Sequence, residues 1–126
     1  MITDWTPYPN FKRAEFACRH TGQCAMQPAF LARLQALRTA YGRPMRVTSG
    51  YRHPTHPVEA GKRSRAPGEH TLGMAADIAC ASGAERFELV RLALEHGFTR
   101  IGIASSFLHL GLGGPGLPER VIWEYA

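Results

Sequence analysis

The chain has 126 residues, 44% of them apolar and 20% charged, with 13 Gly and 9 Pro. That length fits one domain, 1–126, without a second self-supporting core, and the composition excludes collagen-like and low-complexity chains. Fifteen Lys and Arg against ten Asp and Glu leave a formal charge of +5, before any of six histidines takes a proton, so acidic partners are expected: nucleic acid, anionic lipid or a cell-wall polymer.

No apolar run approaches the ~20 residues of a membrane span, and the start MITDWTPYPNFKR lacks a basic stretch followed by an apolar one. A protein made in the cytoplasm, without signal peptide or membrane span, is the expectation. Three cysteines, Cys18, Cys24 and Cys80, are too few for a disulfide framework.

In chain order, PAFLARLQALRTAYG predicts a helix, with Phe30, Leu31, Leu34, Leu37 and Tyr41 at three- and four-residue steps, Pro28 at its start and Gly42 just past its end. MRVTS, 45–49, predicts a short strand feeding a long loop to His70 that is dense in His, Arg and Glu, which favours a functional role. AADIAC follows as a strand, and Ser82 with Glu85 has the spacing of a helix cap. The helix GAERFELVRLALEHG is expected to bury Phe87, Val90 and Leu94 and to stop at Gly97. RIGIA, FLHLGL and RVIWEY read as three closing strands, which together predict an α+β domain with a mainly antiparallel sheet.

The chemistry gathers at His70 and Asp77, seven positions apart at the two ends of a turn entering a strand. Gly73 permits the turn and Ala75 and Ala76 leave room around it. His109 is the natural third ligand, since strand alternation points it to the same side as Phe107. Two imidazoles and a carboxylate would make an open, catalytic zinc site, although a plain hydrogen-bonded His–Asp pair also fits this spacing. No H-E-x-x-H zinc-protease helix occurs. Cys18, His20 and Cys24 form a second cluster that fits half of a structural zinc site, a bridge or, as the spacing favours, free thiols; Cys80 reads as core.

Taken together, SGYR (49–52), GEHTLGMAADI (68–78) and FLHLG (107–111), in this order and spacing, resemble the signature of the zinc D-alanyl-D-alanine carboxypeptidase family of metallopeptidases. CRHTG (18–22), SGYRHPTHPVEAGK (49–62) and GFTRIGIA (97–104) are similar to its small bacteriophage and prophage members. The resemblance implies the fold shared with the hedgehog signalling domain, a small antiparallel sheet with flanking helices and zinc at its edge. It implies Zn²⁺ on His70, Asp77 and His109, polarising a scissile carbonyl and activating water against a bond of the peptidoglycan stem. Arg52 matches the family's arginine, which holds a substrate carboxylate or oxyanion.

The pattern breaks in three places. Where several relatives carry the general-base Glu, three before the last ligand, stands Ser106; Gly111 replaces an Asp, and Gly68 a Ser. The base is therefore open among Glu59, His56, His53 and Glu69, with Glu59 and His56 favoured. The expected protein is a monomeric phage-type endolysin or virion lysin acting at the bacterial wall. The alternative is an inactive zinc-binding structural or wall-binding module of a phage particle. Nucleic-acid binding has only the cluster Lys62, Arg63 and Arg65 in its favour and no motif. Trp123 and Tyr125 read as core or rim aromatics, or as a substrate wall.

Overall fold

The computed structural model describes residues 1–61 and 68–125, so the basic cluster Lys62, Arg63 and Arg65 lies outside the described residues. Among the described residues, four helices, α1 (Arg13–Phe16), α2 (Pro28–Tyr41), α3 (Pro57–Ala60) and α4 (Gly83–Glu95), accompany five strands. These are β1 (Val47–Ser49), β2 (Ala75–Ala79), β3 (Arg100–Ile103), β4 (Phe107–Gly111) and β5 (Val121–Glu124), in the sheet order β1-β2-β4-β3-β5. The α+β class expected from sequence is present. Pairing is antiparallel except that β5 runs parallel to β3. The link through Gly113, Pro115 and Pro118 carries the chain from the end of β4 across the start of β3, so β5 starts from the same end as β3.

The long helix α2 follows its sequence signals. Pro28 occupies the first turn, Phe30, Leu31, Leu34 and Leu37 are fully buried, and Gly42 ends the helix in the left-handed region at φ 70°. In α4 the Ser82 hydroxyl accepts a hydrogen bond from the Glu85 N–H at 3.1 Å, and Gly97 follows the helix end at φ 81°.

The buried face of α4 differs from the one expected. Leu89, Leu92 and Ala93 enter the core, whereas Phe87 and Leu94 are 69% and 55% exposed and Val90 is half-buried. Both sets have helical spacing. The core side is chosen by the packing of α4 on the sheet and α2, and the rejected stripe faces outward. Two further elements had no sequence forecast: α1, and α3 inside the loop after β1.

Strand alternation divides the sheet into two faces. Ala76, Ile78, Leu108, Leu110 and Ile101 point into the core with Phe30, Leu34 and Leu89, each at most 1% exposed. The opposite face carries Asp77, His109, Gly102 and Trp123 as consecutive neighbours across β2, β4, β3 and β5. The next row along is Ala75, Gly111, Arg100 and Val121.

Candidate metal centre

The row containing Asp77 and His109 organises the site. Because the two are paired in register across β2 and β4, their side chains leave the same face side by side. His70 arrives from the turn before β2. Gly73, at φ 71°, closes that turn, and a Cβ there would overlap the Ala25 carbonyl, so the turn packs directly on the backbone of 25–26.

The three residues bring one donor atom each within 4.8 Å of one another. His70, Asp77 and His109 are only 5%, 6% and 5% exposed. His70 Nδ1 lies 2.7 Å from the Gly50 carbonyl, which takes its proton and leaves Nε2, 3.4 Å from Asp77 Oδ1, with a free lone pair toward the carboxylate. His109 presents Nδ1 to Asp77 Oδ1 at 3.1 Å and Nε2 to Glu69 Oε1 at 2.7 Å. Two imidazole nitrogens and a carboxylate converging in a buried pocket form a donor set suited to zinc, with one ring already oriented by a backbone carbonyl. The sequence-predicted ligands are thus brought together. Asp77 and His109 stand on the face of the inner strands β2 and β4, not at the sheet's edge, because β1 flanks β2 and β3 flanks β4.

Charges in the site reinforce each other. Burial opposes ionisation of Asp77, but the hydrogen bond from His109 and the neighbouring His70 ring outweigh it and hold the carboxyl well below the usual carboxylate range. Glu69 is lowered in the same way, burial being outweighed by His109, Arg100 and the Gly113 N–H. His109, whose burial favours the neutral ring, is raised by hydrogen bonds with Asp77 and Glu69.

A cavity of about 470 Å³ opens over the donors. Phe107, Trp123 and Tyr125 line its apolar side and Arg52 and Arg100 its cationic side. The aromatic wall depends on Gly102, where a Cβ would lie 2.8 Å from both Trp123 Cε2 and Tyr125 Cε2. Without a side chain at 102, the Trp123 ring settles 5.2 Å from the His109 ring.

Arg52 lies beside the donors, with Nη1 3.2 Å from Glu59 Oε2 and Nη2 3.7 Å from Asp77 Oδ2. Glu59 also accepts from the Thr71 hydroxyl at 2.9 Å, so it orients Arg52, and it is not among the cavity-lining residues. His56 caps α3, its Nδ1 accepting from the Val58 N–H at 3.1 Å, with its ring edge-on to His20; neither it nor His53 lines the cavity. Of the four base candidates, only Glu69 lines it. Sequence reading passed over Arg100. Its alternation with Ile101 and Ile103 was the available signal, but placing it near His109 required the β3–β4 register.

Cys18, His20 and Cys24 do not assemble a metal group among the described residues, and all three cysteines are free and buried. Burial opposes ionisation of Cys18, but hydrogen bonds from the His53 N–H and from around Thr21 and His20 draw its thiol down to about 7.

Among the described residues no helix is long and apolar enough to cross a membrane. A comparison with curated proteins found no match. The sequence pattern of the family described as Peptidase M15 matches residues 9–111, a span that takes in Arg52, His70, Asp77 and His109. With that match over most of its length and the His–Asp–His group on its sheet, the chain belongs to the Peptidase M15 family of zinc D-Ala-D-Ala carboxypeptidase-like enzymes.

Proposed function

We propose that the protein is a zinc-dependent hydrolase of the peptide stem of bacterial peptidoglycan, cutting as a D-Ala-D-Ala carboxypeptidase or a neighbouring endopeptidase. The observation that carries this reading is the buried His70–Asp77–His109 group at the floor of an open cavity in a chain of this family. Zinc held there would act as a Lewis acid on a peptide carbonyl and make water nucleophilic near neutral pH.

The chain's own residues supply binding and orientation. Arg52, kept in place by Glu59, offers a planar pair of donors to a substrate carboxylate or to the oxygen that gains charge during cleavage. Phe107, Trp123 and Tyr125 give an extended peptide a flat apolar wall, and Leu117 and Val58 line the same cavity. A charge of +5 favours approach to an anionic envelope. A phage-carried lysin, reaching the wall from inside the host or from the virion, accords with the sequence features similar to phage members.

The experiment is digestion of purified sacculi by protein loaded with Zn²⁺ and by chelator-treated protein, with released peptides identified by mass spectrometry. Zinc-dependent release of stem fragments is expected. Zinc binding without cleavage of any stem bond would favour the second reading, an inactive zinc-binding structural or wall-binding module. One observation favours that reading: Glu69, the only carboxylate besides Asp77 that lines the cavity among the described residues, is already engaged by His109 and Arg100.

A further inference from the structure

Among the described residues, Glu69, His70, Asp77 and His109 are buried on the cavity side of the sheet, and the metal reading uses three of them. Glu69, 4% exposed, is the fourth. Its Oε1 lies 2.7 Å from His109 Nε2 and 2.7 Å from Arg100 Nε, and the Gly113 N–H donates to its Oε2 at 2.9 Å. The room for this carboxylate is made by a neighbour: a Cβ on Gly111 would overlap Glu69 Oε2 and lie 2.5 Å from its Cδ. The backbone cannot yield easily, because Gly111 is paired with Ala75 on one side and Arg100 on the other. Glu69 therefore sits in a notch cut by glycine, with His109 two residues along the strand and Arg100 directly across from it.

We propose that Glu69 is a positioning residue: seated over Gly111, it holds His109 by Nε2 so that Nδ1 faces Asp77 and the metal, and it holds Arg100 beside the aromatic wall. The proposal rests on the metal-peptidase reading above. An imidazole with a carboxylate at each nitrogen cannot turn over without breaking two hydrogen bonds, so the metal meets a ring already in one orientation, with Glu69 keeping a proton on Nε2 when Nδ1 gives up its own. Engaged at the ring nitrogen away from Asp77, Glu69 is placed to orient a ligand and not to take a proton from water. Arg100 is fixed from three sides, by Glu69, by the Pro118 carbonyl at 2.5 Å and by the Trp123 ring 5.0 Å away.

The test is Zn²⁺ titration of the full chain against a chromophoric chelator, with ¹⁵N spectra of the histidine rings and a melting curve for each variant. Glu69→Gln, which preserves volume, and Gly111→Ala, which leaves Glu69 in the sequence but crowds its carboxylate, should each weaken zinc binding by about 10–100-fold. Both should also shift the His109 Nε2 resonance, which a merely structural role would leave in place while the melting temperature fell. If either variant does not fold, the other decides. A folded variant that binds zinc within about twofold of the parent, with unchanged His109 signals, overturns the proposal. A parent protein that binds no zinc overturns the metal reading beneath it, a distinct failure.

Discussion

The two faces of the sheet are built from the same strands yet solve opposite problems. On β4, Leu108 and Leu110 face the core, and His109 between them faces the cavity; all three are buried. The core face is held by shape and apolar area, which tolerate small volume changes at modest cost. The cavity face is held by mutual satisfaction: each buried polar group of the donor row has another as partner, and removing one leaves the rest exposed to an unfavourable setting. One residue of displacement along β4 separates a side chain that sets stability from one that sets chemistry.

The largest expected break in this comparison is His109→Ala. Zinc binding and peptidase activity should fall to background, with the circular dichroism spectrum retained, as read by metal analysis and sacculus digestion. Its counterpart, Leu108→Ala on the adjacent position, should cost about 2–5 kcal/mol of stability in denaturant titration. The folded fraction should still bind zinc.

Acidity separates the faces next, since only one of them titrates. Asp77 and Glu69 are depressed in the folded metal-free protein, so the stability they contribute is complete above the ordinary carboxylate range, about pH 4, and is lost as pH falls further. His109 is raised, so its contribution is complete below its unfolded value of about 6.5 and is lost as pH rises through the folded one. Melting temperatures of the metal-free protein should therefore peak between these limits. Zinc should remove the alkaline decline, because a ligating His109 works in its deprotonated form. A metal-free curve that is flat from pH 5 to 9 would count against the charged His109.

Smaller still is Arg52→Lys, which preserves charge but not the planar pair of donors. A loss of about tenfold or more in kcat/KM with unchanged zinc affinity is expected. Least of all is Phe87→Ser on the outward stripe of α4, which should move stability by less than about 0.5 kcal/mol; a cost of several kcal/mol would restore the buried stripe read from periodicity.

Legibility followed the range of the interactions. Local signals sufficed for α2 and for the ends of α4, where Pro28, Gly42, Ser82 and Gly97 act within one turn. His70, Asp77, His109 and Arg52 were legible because short segments present them in an order and spacing similar to a known family. The rest depended on contacts distant in sequence. The face of α4 was misread because two stripes of equal periodicity compete and only packing chooses between them. The parallel β5 was hidden by a turn that resembles a hairpin link. Glu69 looked like one base candidate among four, since neither its notch at Gly111 nor its partner Arg100 exists until β3 lies against β4.

Gly50 links the metal centre to a part of the chain that gives it no side chain. A Cβ at this position would stand 2.6 Å from the Phe16 Cα, so helix α1 and the residue after β1 touch backbone to backbone. The carbonyl of that same residue receives His70 Nδ1. The N-terminal segment thus acts as a fixture that sets the height of one oxygen atom, and through it the tautomer of a metal ligand. A methyl group at position 50 would therefore press on the Phe16 backbone and, by shifting one carbonyl, disturb His70 without touching it.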